Sequence, residues 1–221
     1  NELTDPYAAK GRLRDAAFRQ AGAFAEAAAT PAQDRRLFAG ARFDQWRATD
    51  HRTAVALSMM STAANPDAGR TRRSDLGSGF ARYEQDLARG GTTLFAGLGR
   101  TQRFPDYWEL IKNESAASVS AFGSRPETTT QFDFGALHRR GALQFSISAF
   151  ASRLDDYLLI QSKVAKTVSA LGVMGGVGGP PAMATRSATI THNIDASTWG
   201  GEASHSVLDP PVGPTRVGSA R

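Results

Sequence analysis

The chain has 221 residues, 41% hydrophobic and 21% charged, a composition of folded rather than disordered protein and long enough for one large or two small domains. No apolar run reaches the roughly 18 residues of a transmembrane helix, and the absence of cysteine excludes disulfides and thiolate metal sites. The net charge is +5, but the arginines are scattered (Arg12, Arg14, Arg19, Arg35, Arg36, Arg42, Arg47) and not massed into one basic segment, so no nucleic-acid partner is expected.

The chain opens Asn1-Glu2-Leu3-Thr4-Asp5, without an initiator Met or a secretory signal, and a processed or truncated chain is expected. Residues 12–29 contain FRQAGAFAEAAA, whose alanines would also suit a helix; Gly22 and the neighbouring pattern favour a strand. After a short connection (30–35), residues 36–46 read RLFAGARFDQW. Leu37, Ala39, Ala41 and Phe43 point one way, and Gly40, Arg42 and Asp44 the other. This is period-two alternation with one wholly apolar face. A long connection (51–70) precedes 80–86, where Ala81 and Tyr83 oppose Arg82, Glu84 and Asp86. The short 87–91 leads to a less regular strand, 92–103, with Leu94, Ala96 and Leu98 on one face. The long 104–125 precedes 131–136, where Phe132, Phe134 and Ala136 oppose Gln131, Asp133 and Gly135. The short 139–141, with His138 expected in solvent, leads to 142–150, where Leu143, Phe145, Ile147 and Ala149 oppose Gln144, Ser146 and Ser148. A long glycine-rich loop (158–187) and a last strand (188–203) close the set.

Long and short connections alternate without exception. A soluble β-sandwich, the alternative reading, has no reason to keep one end short throughout. A transmembrane β-barrel has, with short periplasmic turns and long extracellular loops. The fold expected is therefore all-β, an antiparallel transmembrane barrel segment of about seven strands. Its apolar faces would meet outer-membrane lipid and its charged faces a wet lumen. Because lipid offers no hydrogen-bond partners, every edge must be paired, and small barrels start at about eight strands, so the chain is expected to be part of a larger barrel. Loops 51–70, 104–125 and 158–187 should share one side of the membrane.

Residues 99–110, GRTQRFPDYWEL, carry the most specific signal. The segment resembles the strand-to-loop stretch of TonB-dependent outer-membrane receptors, with Arg103, Pro105 and Leu110 at the motif positions. The wording Pro105-Asp106-Tyr107-Trp108-Glu109-Leu110 is most similar to the copper-receptor branch, as are FRQAGAFAEA (18–27), RRLFAGARFDQWRA (35–48) and HNIDASTWGGE (192–202). The resemblance covers roughly residues 10–203. It implies part of a roughly 22-stranded barrel, outer-membrane localisation, contact with the TonB complex through an N-terminal region, and uptake of a metal ion, copper above all, with a siderophore or other organic ligand as the alternative. It implies a transporter and no enzyme or resident cofactor. The plug and TonB box of such receptors are not among these residues.

On physical grounds Pro105 ends ladder pairing, and Tyr107 and Trp108 suit a membrane interface. Arg103, Pro105, Asp106, Tyr107, Trp108 and Glu109 are thus expected to form an anchor and loop rim, with the two acids beginning the extracellular surface. Thioethers suit Cu(I) and imidazole suits both copper oxidation states. The candidate metal residues are therefore His51, Met59 and Met60 of the first long loop, and Met174, Met183 and His192 in or after the third. Packing competes with this for the paired methionines. Glycines 172–179 lack the Lys-Ser/Thr of a phosphate loop. Beyond Glu202 the alternation gives way to SHSVLDPPVGPTRVGSAR, whose prolines cannot lie in a central strand. Residues 1–203 are read as barrel and 204–221 as a non-barrel tail, from a frameshift or truncated gene or else native.

Overall fold

The computed structural model describes residues 15–58, 61–87, 91–172 and 182–207. Among these residues the secondary structure is β1 (Ala16–Ala32), β2 (Arg35–Asp50), β3 (Ala54–Ser58), β4 (Ser61–Ala64), β5 (Thr71–Leu87), β6 (Thr92–Arg103), a single π-helical turn (Trp108–Lys112), β7 (Glu127–Arg140), β8 (Leu143–Gly172) and β9 (Ala182–Val207). Seven strands form one antiparallel meander in the order β1-β2-β5-β6-β7-β8-β9, as the alternating pattern predicts. Strands β3 and β4 form a hairpin within the first long loop, and β4 joins the sheet through β8 at Ser61↔Gly172.

The register lines up what the sequence alternates. One transverse row runs Ala27, Ala39, Ala81, Leu98, Phe132, Ala151 and Trp199 across all seven strands. The parallel row Ala29, Leu37, Tyr83, Ala96, Phe134, Ala149 and Gly201 lies beside it on the same face. These side chains meet no second layer: Leu98 is 56% exposed, Leu143 58% and Trp199 85%. An apolar face of this extent, with alternating residues across seven strands, is the outer surface of a β-barrel wall. On the opposite face charges pair with each other: Arg36 donates to Glu84 (3.0 Å) and to both oxygens of Asp86 (2.7 and 2.8 Å). Arg42 there bonds Asp44.

At the short end the described connections 33–34 and 141–142 are only two residues long. Gly91 and Gly141 have φ of +69° and +61°, conformations that favour glycine. His138, expected in solvent, is half-buried, with Nδ1 2.8 Å from the Thr92 hydroxyl in the adjacent strand.

The other end departs from the sequence reading. The third long loop is largely strand: β8 and β9 pair through Ala170↔Ala182, far beyond the rest of the sheet. A 30-residue strand spans about 100 Å at about 3.3 Å per residue, several times a bilayer's hydrocarbon core. The alternation fails there because polar residues (Lys166, Arg186, Thr191) are mixed with buried apolar ones (Val168, Ala188, Ile190), yet its β-branched residues (Val164, Thr167, Val168, Thr185, Thr189, Ile190, Thr191) suit an extended ladder. Strand β9 also continues to Val207, paired with Leu143, four residues past the expected limit of 203.

Candidate functional site

The long-loop end is where the chain builds a compact site. Chain order forces it: each crossing reverses direction, so connections 51–70, 104–126 and the β8–β9 tip emerge together. The structure shows them in contact, through β4 with β8 and through Arg52 donating to the Ile111 carbonyl.

Residues 104–124 form a strap that folds back over the polar face. Pro105 ends the β6 ladder, and the chain turns through a reciprocal cap. The Asp106 N–H donates to Glu109 Oε2 (2.8 Å) and the Glu109 N–H to Asp106 Oδ1 (2.9 Å). Arg103 closes the cap with a forked pair of bonds to Glu109 (2.8 and 3.0 Å). Three motif residues thus act as one unit. Glu109 is buried, and so does not belong to the surface rim expected of it. Pro105 is fully buried as well, and Tyr107 turns inward, its ring edge-on to Phe18 (6.2 Å) and its hydroxyl donating to Asp15 (3.0 Å). Trp108, 65% exposed, is the aromatic that remains outside.

Beneath the strap lies a small apolar core of Ala48, Leu76, Phe104, Leu110, Ile111 and Phe122. Trp46 stacks on Phe104 with centroids 4.5 Å apart. Arg72 lies over the Phe104 and Phe122 rings (5.5 and 6.0 Å) and donates to the Ser124 carbonyl (2.7 Å), which fixes the returning arm.

The strap is tied at three points. At the first long loop, Arg52 donates to the Ile111 carbonyl of the strap and is itself held by the fully buried Asp50, which accepts from Arg52 Nη2 (2.7 Å) and Asn65 Nδ2 (2.9 Å). At the β1 edge, Lys112 Nζ donates to Asp15 (2.9 Å), which holds the Asp15 carboxyl below its ordinary range against an opposing effect of partial burial. The same bond raises the Lys112 ammonium. At the far edge, Glu114 inserts beside β9. Its N–H donates to the Thr189 carbonyl (3.0 Å), and the Thr191 N–H donates to its carbonyl (2.8 Å). The Glu114 carboxylate takes Lys166 of β8 (3.0 Å) and Arg186 of β9, all three side chains nearly buried. Lys166 also donates to the Ser115 and Ser118 carbonyls (2.7 and 2.6 Å). The strap therefore spans the polar face from β1 to β9.

The candidate metal residues are not gathered here. Met59, Met60 and Met174 lie outside the described residues. His51 is exposed beyond β2, with its N–H on the Asp15 carbonyl. Met183, 69% exposed, sits near the hairpin tip, nine residues from His192 on the same strand, a separation of about 30 Å. The two cannot share one ion. His192 Nε2 is buried without a hydrogen-bond partner, as is Arg186 Nε. Among the described residues no group of three or more His, Cys, Asp or Glu side chains could hold a metal.

Sequence reading missed the strap's ties. Asp15, Asp50, Glu114, Lys166 and Arg186 are distant in sequence and follow no spacing rule. The Asp106-x-x-Glu109 spacing was a readable signal for the cap.

A sheet with a seven-strand apolar belt, short turns at one end and a folded loop cluster at the other defines a segment of transmembrane β-barrel wall. The comparisons give it a family. Residues 1–209 match the family of TonB-dependent receptor-like β-barrels, and the chain belongs to that family. It is similar to the solved copper transporter OprC, with 37% identity, a TM-score of 0.74, and 89% of this chain aligned to 28% of that one. It also matches the hemophore receptor HasR of Serratia marcescens, solved with its hemophore HasA and heme, at 17% identity and a TM-score of 0.58, over 85% of this chain and 31% of that one; this likeness shows the fold alone. The chain thus spans under a third of these structures' length. Among curated proteins no match was found.

Proposed function

We propose that this chain forms part of the wall and extracellular mouth of a TonB-dependent outer-membrane transporter whose cargo is copper. The observation that carries the reading is the similarity to the copper transporter OprC, 37% identity over 89% of the chain. The apolar belt supports the membrane placement, and the remainder of the barrel, with the region that meets the TonB complex, is supplied by the rest of the protein. The strapped end is the extracellular one, since long loops face outward in such barrels. Copper would arrive at the hairpin, where Met183 offers an exposed thioether and Met174 precedes it by nine residues; Met59 and Met60 of the first long loop are the other sulfur donors of the chain. The ion-paired strap over the polar face supports a second part for the chain, shaping the entrance.

Single cysteines in the complete protein test the placement. Ala117→Cys in the strap should react with an impermeant maleimide on intact cells. Ala142→Cys, in the opposite turn, should react only after the outer membrane is opened. The reverse pattern would invert the topology, and reaction of both on intact cells would remove the barrel. Deleting the gene should lower cellular copper accumulation under limitation; unchanged copper together with impaired growth on iron chelates would reassign the cargo.

A further inference from the structure

We propose that Arg19, Arg47 and Arg73 form a binding row for the phosphate groups of an outer-leaflet lipid headgroup. The inference rests on the barrel reading above. Three adjacent strands place these arginines in one register row, as Arg19↔Arg47 and Arg47↔Arg73. Their parity is that of Ala21, Ala23, Phe43 and Gln45, so they stand on the lipid-facing surface and not on the polar face. The row lies at the long-loop end, four residues along β2 from the exposed Phe43, a distance of about 13 Å. That is where the apolar belt gives way to headgroups.

Chemistry sets the ligand. Like charges directly opposite across strands destabilise a sheet, and here two such pairs are contiguous. All three side chains are exposed, and no described carboxylate lies within ion-pair distance of any of them. Asp75, one acid against three cations, sits two residues from Arg73, and its recorded partner is the Gln45 amide (3.3 Å). Neighbouring strands are about 4.8 Å apart, so the row presents guanidinium forks over about 10 Å, a span suited to two phosphates of one headgroup. The arginines border a shallow recess of about 910 Å³ that could seat a sugar or glycerol unit between them. Nothing in the sheet's own packing requires positive charge at these positions.

The test uses the complete protein extracted from outer membranes in mild detergent, wild type against the triple variant Arg19→Gln/Arg47→Gln/Arg73→Gln. Native mass spectrometry reads co-purifying phosphorylated lipid, and added diphosphoryl lipid A is the titrated probe. The triple variant should bind this probe at least about tenfold more weakly. Arg139→Gln/Arg140→Gln, at the opposite end of the sheet, should bind it as wild type does; an equal loss there would reduce the effect to net charge and overturn the site. Dephosphorylated lipid should not bind. Displacement by inorganic pyrophosphate at matched concentration would reassign the row to free polyphosphate. Membrane fractionation and heat-modifiable gel migration report the barrel separately. A triple variant that is folded in the outer membrane and still binds the lipid fully overturns the proposal alone. A wild-type protein found outside that membrane overturns the barrel reading beneath it.

Discussion

Glu114 is the point at which the strap depends most on one side chain. Its carboxylate is 8% exposed, and its two cations, Lys166 and Arg186, are 10% and 16% exposed. Replacing Glu114 by Gln keeps the shape but removes the charge that two nearly buried cations face. Breaking a buried pair by deleting one partner costs about 3–5 kcal/mol, because the remaining charge is left uncompensated. The loss falls on strap docking and not on the sheet, whose ladders do not pass through Glu114. At about 1.4 kcal/mol per tenfold, the open strap should become more populated by about two to three and a half orders of magnitude.

Hydrogen exchange on the complete protein in detergent reads this directly. The Glu114 and Thr191 amides bond each other's strands, and their protection should fall by at least about a hundredfold, while β7 amides between Phe132 and His138 stay as in wild type. Lys166→Gln added to Glu114→Gln should recover part of the loss, since one orphaned cation is gone. If the single variant changes protection by less than about threefold, the pair is effectively solvated and the strap is held by its apolar core alone.

Other expectations follow from the same geometry. Asp15 has its folded pKa lowered from 3.8, so its contribution is present above that value and lost as pH falls through the folded one; Lys112 is raised from 10.5, so its contribution is present below that value and lost as pH rises through the folded one. The β1 tie should therefore hold between these limits and loosen outside them, by no more than about 1 kcal/mol because both groups are over 40% exposed; protease nicking of the strap against pH is the readout, and a flat profile from pH 2 to 7 (about the carboxylate range) would remove Asp15 from it. Gly91→Ala forces a side chain into φ +69° with Cβ 2.3 Å from the Arg139 carbonyl oxygen, and should cost about 2 kcal/mol or more, seen as a lower temperature of heat-modifiable unfolding. Met59→Leu with Met60→Leu keeps volume and removes two thioethers; lower copper uptake with normal surface expression is expected, and unchanged uptake would return both to packing.

The sheet was legible because a lipid-facing wall repeats one decision at every second residue. Leu37, Phe43, Phe132 and Phe145 each announce their face locally, and connection lengths announce the ends. The strap was half legible. Pro105 declares where pairing stops, and Asp106-x-x-Glu109 is a capping signature, but the rule that reads Tyr107 as an interface anchor does not know that Phe18 waits across the polar face to receive it. The β8–β9 protrusion was hidden for the opposite reason: outside the bilayer nothing forces one face to be apolar, so Lys166, Ser187 and Thr191 sit in a ladder without alternation.

The arginines show where local reading fails by construction. Arg19, Arg47 and Arg73 are 28 and 26 residues apart in the chain, and so count as scattered; register alone makes them neighbours. The same holds for Glu114, Lys166 and Arg186, each an ordinary polar residue until the strap crosses from β6 to the edge of β9. What the two groups share is their place at the strapped end, on opposite faces of the wall. Facing inward, Lys166 and Arg186 are matched by the Glu114 carboxylate and hold a loop over the polar face. Facing outward, Arg19, Arg47 and Arg73 are left unmatched within the described chain, which is the arrangement expected of charges that must find their anions in the surrounding membrane.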